Sequence, residues 1–369
     1  MKKRLALIRT LAPPPASAVV SDPDPQGYDA MKQMILILLA VCALVSSCAY
    51  PVQPQHYTAT FLDLFDTVTT IMGPGESEEA FRAQAQAIHD NLQHYHQLFD
   101  IYHDYPGIAN LKTINDNAGK NPVVVDNAII DLLLDCKQYY TLTEGRVNVA
   151  MGSVLRLWHD ARSDGIRDPQ NARLPDMEAL QQAAEHTNSD SILIDEAAST
   201  VYITDPLMQL DVGAIAKGWA SQRAAQQAPK GMLISVGGNV CATGAKLSDG
   251  TPWIIGIQDP NRSDANLHTI CVTGGSVVTS GDYQRTYAVA GTAYHHIIDP
   301  ATLMPGRYWR SVTIVCPDSG LADALSTGLF LMDLEQGKAL AARCGAEVLW
   351  VAADGTEHMT AGFQSILRS

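Results

Sequence analysis

One segment concentrates more chemistry than any other part of the chain: residues 294–330, YHHIIDPATLMPGRYWRSVTIVCPDSGLADALSTGLF. It opens with paired imidazoles and an Asp-Pro turn, passes through a β-branched run, and enters a helical pattern at Leu321. In that helix Asp323 and Thr327 are four residues apart, so a carboxylate and a hydroxyl project from one face. The pair suits Mg²⁺, which takes most of its ligands from water and phosphates. A dipole-offsetting Asp and a Thr bonded to a backbone carbonyl would give the same pattern.

Length and charge limit the classes of protein to which the chain can belong. Its 369 residues, 46% of them hydrophobic, suffice for one large core or for two lobes that share a cleft. The formal net charge of -14 argues against a nucleic-acid partner, because no basic surface is available to neutralise phosphates. Any phosphate must therefore be bound locally, by backbone amides, a metal or a few cations.

The N-terminal residues have the composition of a leader followed by an export signal. We interpret residues 1–30, which are rich in proline and polar side chains, as a mis-called or disordered leader upstream of the true start at Met31. Residues 31–48 have a positive end, an apolar stretch too short for a membrane span, and a lipobox-like ending at Cys48. Residues 49–57 are interpreted as a spacer and residues 58–369 as a single catalytic domain.

This N-terminus predicts where the protein resides. A lipidated Cys48 would anchor it to the outer face of a bacterial cytoplasmic membrane, or to an inner membrane facing the periplasm. Ordinary signal-peptidase cleavage, or a retained anchor, would also export the body of the chain.

Two of the seven cysteines lie in residues 31–48, and the five that follow do not form a recognisable framework. They show no C-x-x-C spacing, and five is an odd number, so neither a zinc site nor a complete set of disulfides is supported. Buried free thiols that pack as small hydrophobic groups are the better interpretation.

Strand and helix patterns predict an α+β fold with mixed, largely antiparallel sheets and flanking helices. Residues 58–71 resemble a strand or hairpin arm, Ser77 caps a helix that runs to about Tyr102, and residues 163–176 resemble a polar surface excursion. Further strands are predicted at residues 191–195, 200–204, 232–236, 253–258, 269–273, 283–288, 295–298, 311–315 and 347–352. Further helices are predicted at residues 127–141, 176–186, 214–227, 321–332 and 335–343.

The first long helix carries several histidines. His89, His94 and His96 lie within it, and His103 follows. His94 and His96 are two residues apart and face different sides, so a solvated helix face is a better interpretation than a metal cluster.

Three glycine-containing segments could bring backbone amides close to an anionic ligand. In residues 211–218, DVGAIAKG, a turn leads into a helix beside Lys217, although a capping Asp and a surface Lys explain this pattern equally well. Residues 236–239, VGGN, permit a turn with positive φ, and residues 279–283, TSGDY, put hydroxyls in a glycine loop beside an aromatic ring. None is specific alone, and Walker A spacing is absent.

The order of these motifs resembles that of the ApbE family of FAD:protein FMN transferases. The matching blocks are residues 211–218, 236–239, 279–283, 295–300 and 322–327, with upstream likeness at residues 65–67 and 145–150. The resemblance covers roughly residues 58–353. It implies an ApbE-like (T-fold-like) architecture, and many members of that family are exported or lipid-anchored.

The resemblance also implies a set of ligand contacts. Mg²⁺ would be held by Asp323, Thr327 and the main-chain carbonyl of Ala214. FAD, as substrate, would contact Phe65, Tyr102, Arg146, Val147, Asn148, Asp211, Lys217 and Ile297. The chain departs from the usual pattern at Asn148, Gln222 and Leu303, where Asp, Asp and Gly are more common. These departures can alter flavin contacts but leave the implied metal ligands intact.

The activity implied is Mg²⁺-dependent transfer of FMN from FAD to a Thr or Ser hydroxyl of an exported or membrane electron-transfer protein, with release of AMP. We expect His296, supported by His295, to accept or position the hydroxyl proton; a histidine that only holds the Asp299-Pro300 turn is the alternative. Competing functions are Mg²⁺-dependent hydrolysis of FAD to FMN and AMP, and flavin binding without turnover.

Overall fold

The computed structural model describes residues 55–368, so the predicted leader, signal, Cys48 and most of the spacer lie outside the described residues. The described part belongs to one compact unit. Its helices are α1 (Glu78–Phe99), α2 (Leu111–Asp116), α3 (Asn127–Leu142), α4 (Gly152–Arg167), α5 (Met177–Ala184), α6 (Ala216–Gln227), α7 (Ser319–Phe330), α8 (Leu334–Cys344) and α9 (Ala361–Ser365). Among the residues described, no helix combines the length and the apolar character that crossing a membrane requires.

The strands form one large sheet and three small ones. They are β1 (Gln55–Leu64), β2 (Thr67–Gly75), β3 (Val123–Val124), β4 (Ile192–Asp195), β5 (Thr200–Ile203), β6 (Leu233–Val236), β7 (Asn239–Ala242), β8 (Trp253–Asp259), β9 (Arg262–Val272), β10 (Gly275–Gly281), β11 (Tyr287–Val289), β12 (Thr292–Tyr294), β13 (Trp309–Cys316), β14 (Glu347–Ala352) and β15 (Glu357–Met359). The large sheet has the order β1-β2-β6-β7-β10-β13-β14-β15, and its pairings are antiparallel. The α+β prediction is confirmed.

Two-residue turns fix the register at two hairpins of the large sheet. In the β6–β7 hairpin Val236 pairs with Asn239, and the intervening Gly237 and Gly238 have φ values of 57° and 89°. The expectation that these glycines permit a positive-φ turn is confirmed. In the β1–β2 hairpin Leu64 pairs with Thr67, although both intervening residues carry side chains.

Three local interpretations of the sequence are wrong. Residues 295–298 do not form a strand, and only Ile298 makes an isolated bridge, to Pro305. Thr279 and Ser280 belong to the central strand β10, between β7 and β13, and not to a glycine loop. The helix α4 continues to Arg167, so residues 163–167 are not a surface excursion. Gly165 in that last part of α4 allows the helix to pack against the ring of Tyr287, because a Cβ there would lie 2.6 Å from the ring.

Helix α1 lies between the β1–β2 hairpin and α6. The Ser77 hydroxyl accepts a hydrogen bond from the amide of Ala80, which confirms the predicted cap. At the other end the rings of Tyr95 and Phe99 contact Trp219 of α6 edge-on, with centroid distances of 5.3 and 5.4 Å. His89 is buried in this arrangement, so the prediction of a solvated histidine face is wrong for that residue.

Helices α6 and α7 approach each other closely at Gly218. A Cβ on Gly218 would collide with the Ser319 carbonyl oxygen and would lie 2.5 Å from Cβ of Asp323. In the absence of a side chain, the Gly218 amide donates a hydrogen bond of 2.8 Å to Oδ2 of Asp323. One helical turn further along, Oε1 of Gln222 accepts a hydrogen bond of 2.8 Å from the Ser319 amide. The turn before α6 is therefore fixed beside the acidic part of α7.

We expect Gly218→Ala to destabilise the fold. Alanine favours a helix by about 0.8–1.0 kcal/mol over glycine, but overpacking costs about 1–3 kcal/mol and also strains the Asp323 hydrogen bond. The net loss in the free energy of unfolding should be about 1–2 kcal/mol by urea denaturation. Gln226→Ala, at an exposed position of the same helix, is the control. Equal stability of the two variants would contradict the close-packing argument.

Candidate active site

The predicted site residues come together around one cavity. This central cavity lies between α4, the turn before α6, β10, the segment after β10, and α7. Of the predicted site residues, the following line it: Tyr102, Arg146, Val147, Asn148, Asp211, Ala214, Lys217, His295, His296, Ile297, Asp323 and Thr327. The space between its walls, including open solvent at the mouth, is about 1320 Å³.

The oxygen ligands predicted for Mg²⁺ lie on α7 and on the turn before α6. Asp323 is only 3% exposed and is one helical turn from Thr327, and both line the central cavity with Ala214. Among the described residues, no group of three or more His, Cys, Asp or Glu side chains could hold a metal ion. One carboxylate, one hydroxyl and one carbonyl are oxygen ligands of the kind that Mg²⁺ accepts when its remaining ligands come from water and phosphate.

The elements around Asp323 are held by short hydrogen bonds. Lys217 places Nζ 3.7 Å from Oδ2 of Asp323, so the carboxylate already has a cation beside it. The Ser326 hydroxyl donates to the Asp323 carbonyl at 2.8 Å and lies 2.8 Å from the Ser280 hydroxyl of β10. Helix α7 is thus joined to the central strand directly beneath the predicted metal ligands.

The turn before α6 is organised by Asp211. Its Oδ1 accepts a hydrogen bond of 2.8 Å from the Gly213 amide, and its own amide donates to the Val149 carbonyl at 2.8 Å. Burial raises the pKa of the Asp211 carboxyl above its usual range. The Ala214 carbonyl belongs to this turn, so the hydrogen bonds of Asp211 also fix its position.

His295 is engaged at both ring nitrogens. Its Nε2 donates to the Gly306 carbonyl at 2.8 Å, and its Nδ1 accepts from the Ile297 amide at 3.2 Å. Burial lowers the pKa of His295 below its ordinary value, so the imidazole is neutral. This geometry matches a histidine that holds the segment from residue 297 to residue 306 in place, and it leaves no ring nitrogen for a substrate proton.

Among the residues that the structure describes, one ring nitrogen of His296 has no hydrogen-bond partner. Its Nδ1 lies 3.3 Å from the Gln284 carbonyl and donates to it, which leaves the Nε2 lone pair available. Burial, followed by the positive charges of Arg285 and other cationic neighbours, lowers the pKa of His296 to about 3. The imidazole is therefore neutral at pH 7 and can accept a proton at Nε2.

Two arginines that sequence reasoning missed also line the central cavity. Arg162 of α4 donates to the Arg285 carbonyl at 3.5 Å, so two guanidinium groups lie on one wall. Burial and the nearby charge of Arg285 lower the pKa of Arg162. Within residues 55–368 neither arginine forms an ion pair with a carboxylate. Arg285 lies near the Asp211 carboxyl without forming an ion pair with it. Two adjacent guanidinium groups without an ion-paired carboxylate favour an anionic ligand.

Asn239 ends the VGGN segment but was not among the predicted site residues. It follows the glycine turn at the start of β7, is 2% exposed and lines the central cavity. Its Nδ2 has no hydrogen-bond partner among the described residues. A buried amide donor without a partner suits the oxygen of a bound ligand.

A second cavity adjoins the first. Both are lined by Tyr102, Asp211, Gly213, Lys217 and Arg285. The second cavity also has Phe65, the remaining predicted flavin contact, together with the aromatic residues Phe99 and Tyr105. Tyr102, which lies between the two spaces, is 55% exposed.

The three departures from the usual family pattern have structural roles here. The Asn148 amide donates to the Thr187 carbonyl at 2.9 Å, a bond that an Asp carboxylate cannot make. Gln222 joins α6 to α7, as described above. Leu303 has a φ of 59°, in the region that glycine prefers, and its carbonyl accepts a hydrogen bond of 2.9 Å from the Trp158 indole.

A family model described as the ApbE family matches residues 58–350. The chain therefore belongs to the ApbE family.

Curated relatives agree with this assignment. The chain is 29% identical over 351 residues to a FAD:protein FMN transferase of Treponema pallidum, with 90% of this chain and 94% of that protein covered. It is 27% identical over 315 residues to a FAD:protein FMN transferase of Vibrio cholerae, with 83% and 90% covered.

Solved structures share the fold. An ApbE protein from Thermotoga maritima superposes with a TM-score of 0.76 at 31% sequence identity, covering 85% of this chain and 100% of that one. The flavin transferase ApbE from Vibrio cholerae gives a TM-score of 0.70 at 24% identity, with 85% and 100% covered. The ApbE-like architecture expected from the motif order is confirmed.

The low pKa of His296 predicts how stability depends on pH. As the pH falls from 7.5 to 5, a histidine in the unfolded chain, with a pKa near 6.5, gains a proton that folded His296 does not bind. This contribution destabilises the folded state on acidification, and His296→Gln removes it. Between pH 7.5 and pH 5, the unfolding free energy of the variant relative to that of the wild type should rise by about 2 kcal/mol. A constant difference in urea titrations would show that His296 is not held neutral.

Proposed function

We propose that this protein, a flavin transferase of the ApbE family, moves FMN from FAD to a Thr or Ser hydroxyl of an exported or membrane electron-transfer protein and releases AMP. The observation that carries this proposal is the charge of the central cavity. Four cations, Arg146, Arg162, Lys217 and Arg285, and two carboxylates line it, whereas the whole chain has a net charge of -14. Such a local excess of cations favours a substrate with a pyrophosphate.

Different residues of the two cavities would bind the metal ion and the phosphate oxygens of this substrate. Asp323, Thr327 and the Ala214 carbonyl would hold Mg²⁺, which when bound neutralises charge on the pyrophosphate oxygens. Lys217 and Arg285 are placed to bind phosphate oxygens, and both are shared by the two cavities. The two halves of FAD can then occupy the two cavities with the pyrophosphate near their junction.

His296 is placed to accept the proton of the acceptor hydroxyl. The acceptor oxygen forms a bond to the phosphorus of the FMN half, the bond from that phosphorus to the bridging oxygen breaks, and AMP leaves with that oxygen. The hydroxyl proton passes to Nε2 of His296, since Nδ1 is engaged with Gln284. The pyrophosphate would offset the cations that lower the pKa of His296, which makes the imidazole a stronger base when substrate is bound.

Incubation of the purified full-length chain with FAD, Mg²⁺ and a membrane electron-transfer protein tests this function. We expect the acceptor to gain the mass of FMN while an equal amount of AMP appears, and chelation of divalent ions should stop both. Asp323→Ala should slow transfer on the order of 100-fold, because it removes the only carboxylate of the implied magnesium site.

Glu335→Ala, which changes an exposed carboxylate on α8, is the matched control and should transfer at the wild-type rate. Free FMN without acceptor modification would identify a hydrolase instead. FAD binding without AMP release in the wild type would identify a flavin-binding protein. Unchanged AMP release by Asp323→Ala would contradict the metal-centred mechanism.

We also propose that the enzyme works on the outer face of the bacterial cytoplasmic membrane, held there by a lipid on Cys48. The support is the order of a positive end, an apolar stretch and a lipobox-like ending in residues 31–48. An electron-transfer acceptor in the same membrane would then be within reach of the central cavity.

Cys48→Ser should release the protein from the membrane fraction. A lipid would be attached to the chain through the Cys48 thiol, so labelling with a radioactive fatty acid should disappear in the variant. Cys344→Ser, which changes a half-buried thiol far along the chain, should keep both label and location. Membrane retention and labelling of the Cys48 variant would rule out this anchor.

A further inference from the structure

The turn between β1 and β2 has an unfavourable backbone conformation at the wall of the second cavity. Phe65 and Asp66 have φ values of 52° and 51°, and they are the two central residues of a two-residue hairpin. Turns of this kind favour Asn-Gly, because glycine has no Cβ and the short polar side chain of Asn tolerates positive φ. Residues in such conformations persist only where the surroundings hold them, and they concentrate at functional sites.

His96 of α1 holds this turn. Its Nδ1 accepts a hydrogen bond of 3.2 Å from the amide of Phe65. The rings of the two residues also meet edge-on, with centroids 5.3 Å apart and an interplanar angle of 80°. One imidazole thus fixes both the backbone and the ring of Phe65, and both residues line the second cavity.

A second histidine fixes the same hairpin two helical turns earlier. His89 lies seven residues before His96, and its Nε2 is 3.0 Å from Oδ2 of Asp63 in β1. Its ring also packs on Phe61, with centroids 4.4 Å apart. Burial lowers the pKa of His89, but hydrogen bonds to Asp90 and Asp63 outweigh burial and leave the pKa above its ordinary value. The contacts of His89 with Phe61 and Asp63 therefore hold strand β1 against α1 just before the turn.

We propose that His96 is a positioning residue that sets Phe65 as a wall for one planar ring of FAD. This inference rests on the proposed function. The second cavity suits a flat ring because Phe99, Tyr102 and Tyr105 line it with Phe65. It shares Lys217 and Arg285 with the central cavity, so a ring seated there remains next to the residues that bind pyrophosphate.

Three variants separate positioning from folding. His96→Asn places a side-chain oxygen near the position of Nδ1 and can still accept from the Phe65 amide, whereas His96→Leu cannot. Asp66→Gly relieves the positive-φ penalty, so adding it to His96→Leu should restore stability without fixing the ring of Phe65. His94→Asn changes an exposed imidazole on the same helix and is the matched control.

The full-length chain and each variant are titrated with FAD, FMN and AMP, and unfolding is measured in parallel. We expect His96→Leu to bind FAD about 5-fold more weakly, and His96→Asn and His94→Asn to remain within about 2-fold of wild type. The loss should appear for FMN or for AMP but not for both, which identifies the ring that Phe65 contacts. The double variant with Asp66→Gly should regain stability and keep the weak affinity.

Wild-type affinity in His96→Leu, or equal weakening in His96→Asn and His96→Leu, would overturn the inference. An equal loss for FMN and AMP would also overturn it, because that result indicates general loosening of the fold. Failure of the wild type to bind any of the three ligands would instead refute the proposed function. The two failures are therefore distinguishable in one set of titrations.

Discussion

The active-site geometry depends on one close contact, where the amide of Gly218 meets the carboxylate of Asp323. Hydrogen bonds or a cation compensate for the burial of a carboxylate, and here the amide and the ammonium group of Lys217 provide both. Because the contact requires a glycine, it sets the distance between α6 and α7. That distance decides whether the Ala214 turn and the side chain of Thr327 can serve the same ligand.

The distribution of charge explains how an acidic protein can bind an acidic substrate. A net charge of -14 repels anions at long range, but that repulsion is screened beyond about 8–10 Å at ordinary ionic strength. Inside the central cavity the unpaired guanidinium groups of Arg162 and Arg285 act over short distances where screening is weak. The same cations lower the pKa of His296, so substrate binding and the basicity of that imidazole are linked.

The parts of the fold that local patterns determine were predictable. Ser77 and the apolar spacing after it identified α1, and the paired glycines of residues 237 and 238 identified a hairpin turn. Strand β10 was not predictable, because Thr279 and Ser280 resemble loop residues until tertiary pairing with β7 and β13 places them in a sheet. The motif order located most residues of the central cavity. Arg162 could not be found because its role depends on α4 packing near Arg285, a contact that joins positions 123 residues apart.

Part of the backbone strain in this fold lies at the walls of the two cavities. Within residues 55–368 seven residues other than glycine have positive φ, and among them Phe65, Asp66 and Arg285 line a cavity. Leu303 belongs to the same set and accepts a hydrogen bond from Trp158, another cavity residue. Glycine or asparagine would relieve the strain at each of these positions. Their position indicates that exact side-chain placement around the ligand outweighs the stability lost at each turn, and the hydrogen bond from Phe65 to His96 shows how that loss is offset.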